Sequence, residues 1–292
     1  MSANPSGIAG PAATRGGTDD LMRHLVEAVA EAGVMAREMR GADLASWTKE
    51  NDSPVTAADM AVDGFLRERL AAAAPDAGWL SEESADTGAR LGAGRLWVVD
   101  PIDGTRAFMA GGADWAVSAA LVEEGRPVAA ALYAPASEEM FLAVRGRGAT
   151  LNGAAITASR RPALEGARVA GPTAALDAFR PKAALNRLPR VRSLALRLAR
   201  VASGEIDLAL VGENAHDWDL AAADLIVEEA AGRLTSYGGA SILYNRPVPR
   251  HGALLCAGLP LHAVVLAARE ATGLPAASSP HPVRGTTPRA SR

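Results

Sequence analysis

The chain has 292 residues, 49% of them hydrophobic and 22% charged, and a net charge of −3. That length buries a large core as one domain or as two close-packed ones, and that charge excludes a general pull toward nucleic acid or acidic membrane. Cys256 is the sole cysteine, which excludes an intramolecular disulfide; beside Leu254 and Leu255 it reads as a small core hydrophobe.

Residues 1–18 are rich in Gly, Ala, Pro and Ser and hold no apolar stretch of signal-peptide length. They predict a flexible tail and a cytoplasmic protein. Asp19 or Asp20 is placed to cap a helix to about Arg40, with Leu21, Leu25, Val29, Ala32, Ala36 and Met39 along one face. A second helix starts in "TAADMAVDGFLRERLAAAAP" with a capping-box pair, Thr56 and Asp59, and ends at Pro75.

The segment "GRLWVVD" is a strand, and the run from Trp115 to Gly153 reads as a meander of strands separated by "EEG", "APASEE" and "GRG". From about Arg161 to Arg192 prolines, glycines and arginines accumulate, which predicts a boundary between subdomains 19–160 and 161–274. A helix "SLALRLARVASG", a strand "IDLALVG" and a helix "WDLAAADLIVEEAAG" closed by Gly232 follow. The apolar run from Gly252 to Ala268 is broken by Gly258, Pro260 and His262, so it reads as a strand, a turn and a last helix to about Thr272 rather than a membrane span. Residues 275–292 predict a disordered tail. Strands that do not strictly alternate with helices predict an α/β protein of the α+β type, built from layered sheets and helices.

Chemistry concentrates at "WVVDPIDGTRAF". Asp100 closes an apolar strand, Pro101 stiffens the turn, Asp103 follows and Gly104 permits close backbone approach. Two carboxylates this close repel unless one is protonated or a cation sits between them, and Mg²⁺ suits such oxygen ligands, with the Ile102 carbonyl available as another. A helix starting at Thr105 would offer N–H groups to an anion. The competing reading is a turn with capping aspartates. Three more acidic segments are weak singly: Glu82 and Glu83 in "WLSEES", a solvated loop if nothing else; Asp59, a helix cap; and Asp217 and Asp219 in "HDWDLAAADL", N-cap candidates.

Together, "SPVTAAD", "EES", "DPIDGT", "GRGATLNG" and "WDLAAADLIVEEAAG", in this order, resemble the inositol monophosphatase superfamily of magnesium-dependent phosphomonoesterases over about Leu21 to Thr272. "VDPIDGTRAF" and "HDWDLAAADLIVEEAAG" are most similar to the bacterial 3'(2'),5'-bisphosphate nucleotidases, which act in sulfate assimilation. The resemblance implies a layered αβαβα sandwich, two or three Mg²⁺ ions and a homodimer. It implies that Glu82, Asp100, the Ile102 carbonyl, Asp103 and Asp219 bind metal. It further implies that Asp59 and Thr105 polarise the attacking water, with Glu82 beside them in catalysis, and that Gly104 and Thr105 hold the phosphate. One departure is Ser81, where the family usually has glycine.

Inositol phosphatases place a ring-binding Glu shortly before the Trp-Asp pair. Here Gly212 holds that position and Glu213 is one residue out of register; "RSLAL" likewise has Ala195 where inositol enzymes tend to have glycine. Seven basic residues fall between Arg180 and Arg200. Most read as a solvated face, some as receivers of a second phosphate; Arg106 is nearer the chemistry. His216 and Asp217 face either the substrate or the core. No aromatics interleave the charges, which argues against a nucleic-acid groove. The expected activity is hydrolysis of adenosine 3',5'-bisphosphate to AMP and phosphate. An inositol or other sugar-phosphate phosphatase is the alternative, and a non-catalytic phosphate-binding module is the third reading.

Overall fold

In the computed structural model, which describes residues 15–40, 46–48, 54–179 and 181–269, the predicted elements form with shifted ends. Helix α1 spans Arg15–Met39, so Asp19 and Asp20 lie inside it and cap nothing. They pair instead with arginines: Asp20 accepts from Arg23 at 2.9 Å and Asp19 from Arg147. The residues expected as a tail therefore contribute the first helical turn. Strands β1 (Ser46–Thr48) and β2 (Pro54–Thr56) form a small antiparallel pair leading into α2 (Ala57–Ala73). The Thr56–Asp59 capping box is present, which satisfies two donors at the start of α2.

Strand β3 (Gly78–Ser81) pairs in parallel with β4 (Arg95–Asp103). After the short helix α3 (Thr105–Met109) come β5 (Ala116–Glu123), β6 (Arg126–Ala134), β7 (Glu139–Val144), β8 (Ala149–Leu151) and β9 (Ala154–Ala155). These continue antiparallel in chain order, completing a seven-stranded sheet from β3 to β9. The meander is as the turn residues predicted.

The segment read as a change of character supplies β10 (Arg168–Ala170), α4 (Thr173–Asp177) and β11 (Asn186–Arg187). Then follow α5 (Leu194–Ala202), β12 (Leu208–Val211), β13 (Ala215–His216), α6 (Asp217–Glu229), β14 (Gly232–Ser236), β15 (Arg250–His251), β16 (Leu254–Gly258) and α7 (Leu259–Arg269). A second, five-stranded sheet has the order β11-β10-β12-β16-β14. The end of the last predicted helix, near Thr272, lies outside the described residues.

Five layers result. Helices α1 and α2 cover the outer face of the large sheet through Leu25, Val29, Leu66, Leu70 and Trp97. Helices α5 and α6 lie between the two sheets, in a core that joins Leu132 and Phe141 of one sheet to Leu254 and Cys256 of the other. Helix α7 covers the outer face of the small sheet with Leu261 and Val265. The order is αβαβα, as the family resemblance implied. Helix α6 is buried from Leu220 to Val227, because a helix between two sheets has no solvent face to fill with polar residues.

Gly232 does not close α6. Ala231 takes the left-handed conformation, φ 61°, and Gly232 opens β14. Its role is close approach: a Cβ there would meet Val227 Cγ1 at 2.7 Å. Among the described residues no helix is long and apolar enough to cross a membrane.

Candidate active site

Strand β4 does not leave its sheet at Asp100, as the sequence suggested; it continues to Asp103 through a bulge. Asp100 faces Ser118 on β5 and Asp103 faces Ala116, so three steps on one strand match two on the other. In a regular strand, residues three apart point to opposite faces. The extra residue reverses one of them and brings both carboxylates to one side. Pro101 fits because a bulge needs no ladder N–H there.

Gly104 follows with φ 94°, and a Cβ on it would stand 2.6 Å from the Asp114 carbonyl oxygen. Only glycine combines that dihedral with that approach. Helix α3 starts directly after it at Thr105.

Asp219 arrives from another layer. Helix α6 begins with His216 as N-cap, Asp217 at the first position and Asp219 at the third, where its carboxylate accepts the His216 N–H at 2.6 Å. Neither aspartate is therefore the N-cap. Oxygen atoms of Asp100, Asp103 and Asp219 lie within 4.8 Å of one another. Asp217 points the other way. It is fully buried and accepts from Asn245 N–H at 2.8 Å and pairs with His251 Nε2 at 2.7 Å, which fixes the start of α6 to the segment before β16. His216 stacks on Trp218 with ring centres 4.5 Å apart.

The remaining sequence-predicted residues converge on the same place. Asp59 Oδ2 accepts the Thr56 N–H at 2.8 Å and the Thr56 hydroxyl at 2.6 Å, while Oδ1 is 3.4 Å from the Thr105 hydroxyl. That hydroxyl makes its shorter bond, 3.0 Å, to the Ile102 carbonyl. Glu82 follows β3 and lies outside the three-aspartate group, but its charge acts on Asp100 more strongly than any other.

The electrostatics are those of a site built for cations. Burial first, then the charges of Glu82, Asp103, Asp219 and Asp59, push the Asp100 carboxyl well above the ordinary range. Asp103 is pushed up to about 7 by burial and then by Asp219, although hydrogen bonds from Ser193 and Ala195 favour its charged form. Asp100 Oδ1 accepts the Ile102 N–H at 3.1 Å, whereas Oδ2 is buried with no hydrogen-bond partner among the described residues. A buried carboxylate oxygen left without a donor among like charges fits a hard divalent cation.

Ser193 escaped sequence reasoning. It caps α5, and its hydroxyl donates to Asp103 Oδ2 at 2.6 Å beside the Ala195 N–H, also at 2.6 Å. The signal was the serine directly before an apolar helical run. Ala195, noted only as a departure, is thus part of the support of Asp103.

A cavity of about 780 Å³ opens over these groups and is lined by Asp103, Asp219, Arg106 and Glu213. Glu213, despite its shifted register, stands at the site together with Gly212. The basic segment is exposed at Arg187, Arg190 and Arg192, as a solvated face would be, and these three line the same cavity with the half-buried Arg197. Arg187 also pairs with Asp177 at 2.6 Å, and Arg200 turns away to Glu139 at 2.7 Å. Lys182 reaches the Ala268 carbonyl instead, and Arg180 lies outside the described residues.

The chain matches the model of the inositol monophosphatase family over residues 18–273. It is 38% identical over 238 residues to a histidinol-phosphatase of Mycobacterium tuberculosis, covering 76% of this chain and 88% of that protein. It is 34% identical over 230 residues to an inositol-1-monophosphatase of Rhizobium meliloti, covering 75% and 86%. Among solved structures, the extragenic suppressor protein suhB of Bartonella henselae superimposes with a TM-score of 0.75 at 28% identity, covering 86% of this chain and 98% of that one.

Proposed function

Since the chain belongs to the inositol monophosphatase family and is a metal-dependent phosphomonoesterase, we propose that its substrate carries a second anionic group beside the scissile phosphate. Adenosine 3',5'-bisphosphate, cleaved to AMP and phosphate, is the specific reading. One observation carries it: Arg106, Arg187, Arg190, Arg192 and Arg197 line the cavity over the carboxylates. The carboxylates recruit the cation for the reacting phosphate. Beyond them Arg190, Arg192 and Arg197 add to Arg106 and to Arg187, which is already paired with Asp177; planar guanidiniums suit the oxygens of a second phosphate.

Glu82, Asp100, the Ile102 carbonyl, Asp103 and Asp219 would hold Mg²⁺. When bound, the metal neutralises the phosphate and lowers the pKa of water. Asp59 and Thr105, whose Oδ1 and hydroxyl stand 3.4 Å apart, would polarise and orient the attacking water, and of the two only the Asp59 carboxylate can receive its proton. The backbone at Gly104 and Thr105 receives the phosphate. Water adds to phosphorus, the P–O ester bond breaks, and the leaving oxygen takes a proton. No side-chain nucleophile is required, consistent with phosphoryl transfer by positioning and charge compensation.

Glu213 supports a second reading. A carboxylate at the cavity wall suits hydroxyl or amine donors, as on inositol 1-phosphate or histidinol phosphate, and relatives carry those activities in their names. The test is phosphate release with Mg²⁺, comparing kcat/KM for adenosine 3',5'-bisphosphate, inositol 1-phosphate and histidinol phosphate. The bisphosphate should lead by about tenfold or more, which corresponds to one good charged contact. A lead for either of the others overturns the bisphosphate reading and makes Glu213 the specificity residue. A homodimer and a cytoplasmic location complete this reading; size-exclusion chromatography with light scattering checks the former.

A further inference from the structure

We propose that Asp63 is a positioning residue: it clamps the loop that carries Glu82 to the helix that carries Asp59, and so sets the affinity of the site for its divalent cation. Asp63 lies one helical turn beyond Asp59 on α2 and is 6% exposed. Its Oδ1 accepts the hydroxyl of Ser81, and its Oδ2 accepts the hydroxyl of Ser84 at 2.8 Å. The two serines flank Glu82 and Glu83. One buried carboxylate therefore ties down both ends of a four-residue turn. Two further bonds tighten it: the Glu83 N–H donates to Ser81 Oγ at 3.3 Å, and the Trp79 indole N–H donates to Ser84 Oγ at 3.3 Å.

The site needs such a clamp. Glu82 is near enough to the buried Asp100 for the two carboxylates to interact electrostatically, and like charges there repel. Without a cation, that repulsion drives a carboxylate on a free loop outward into water. Holding Glu82 in place before the cation arrives removes the ordering cost from binding. Helix α2 is a suitable anchor, because the Thr56–Asp59 capping box fixes its first turn and Val62, Leu66 and Leu70 fix its buried face. Asp59 and Glu82 are thus referred to one rigid element. The bonds of Asp63 run to hydroxyls that a leucine or alanine there could not satisfy, so its role goes beyond packing.

The inference rests on Glu82 being a cation ligand as proposed above. Calorimetric titration of Mg²⁺ into the full chain, with the Mg²⁺ dependence of turnover beside it, tests both. Asp63→Ala should weaken Mg²⁺ binding about 10-fold or more, the range typical of outer ligand partners, while kcat at saturating Mg²⁺ stays within about threefold. The double variant Ser81→Ala/Ser84→Ala should reproduce the loss, and it decides the matter should Asp63→Ala not fold. Asp63→Asn, which keeps one acceptor, should recover part of the affinity. Leu66→Ala, a core truncation on the same helix, should lower Tm and leave Mg²⁺ affinity unchanged. Wild-type affinity in the folded Asp63 variant or in the double-serine variant overturns the clamp, as does an equal loss in Leu66→Ala. Absence of Mg²⁺ binding by the intact protein overturns the cation site itself.

Discussion

Asp100 and Asp103 are three residues apart on one strand, yet their carboxylates share one side of it, within 4.8 Å of each other and of Asp219. The bulge between their partners Ser118 and Ala116 produces that arrangement. The result is a set of buried like charges that is costly by itself and favourable around a cation.

Asp100→Asn separates stability from function. Removing a buried carboxylate set among Glu82, Asp103, Asp219 and Asp59 relieves repulsion, so the metal-free protein should melt a few degrees higher than wild type. The same variant should lose turnover and the Mg²⁺-dependent rise in Tm that binding to the folded state produces. Calorimetry with and without Mg²⁺ checks this; a wild-type Mg²⁺ shift would remove Asp100 from the cation site.

Asp103→Asn keeps the shape and an acceptor for Ser193 and Ala195 but removes the charge. Turnover should fall by more than the roughly 10–100-fold seen for outer ligand partners. Steady-state assay at saturating Mg²⁺ measures it, and full activity would sink the metal assignment.

Gly104→Ala meets two obstacles, a dihedral of 94° and a carbonyl oxygen 2.6 Å from the new Cβ. We expect a stability loss of about 1–3 kcal/mol and a larger fractional loss of activity, because the displaced backbone is the proposed phosphate seat. Denaturant unfolding and phosphate-release assays together test it; unchanged values in both contradict the tight-turn account.

Asp224 gives a pH prediction remote from the chemistry. It is buried on α6, accepts from the Tyr244 hydroxyl at 2.9 Å, and has its pKa pushed up to about 7 by burial. Its unfolded value is about 4. The folded state therefore holds the proton more tightly, so this group's contribution falls as pH rises from about 4 to 7 and stays low above 7. Asp224→Asn, which keeps an acceptor for Tyr244, should raise Tm at pH 8 by a few degrees, with the gain shrinking toward pH 5. A gain independent of pH would contradict a protonation cause.

Arg190→Ala should separate the substrate readings. With adenosine 3',5'-bisphosphate kcat/KM should drop about tenfold, the scale of one charged hydrogen bond, chiefly through KM. With AMP or inositol 1-phosphate it should change by less than about threefold. Equal effects on all substrates would mean that the arginine wall does not read a second anion.

Much of the site was legible because local rules impose it. The Thr56–Asp59 box and the Asp103–Gly104 step act within a few residues of themselves and are where their chemistry places them, whereas Pro101, read as stiffening a turn, stands in the bulge of β4. The ends of elements were less legible. Helix α1 runs past Asp19 and Asp20, whose carboxylates accept from arginines instead of capping it. Gly232 answers to Val227 across a strand–helix contact rather than to helix termination.

The sequence by itself determined which carboxylates exist, their order in motifs, the meander and the helices, because hydrophobic periodicity, capping and turn chemistry are short-range. Only the tertiary structure decided that Asp219 of α6 meets Asp100 and Asp103 of β4, that Ser193 supports Asp103, that Asp217 turns to His251, and that arginines of a solvated segment line the cavity. Those relations arise where two sheets close on a buried helix. Such long-range packing depends on contacts between segments about a hundred residues apart, as with Ser193 and Asp103, and no local pattern records which face of each will meet the other.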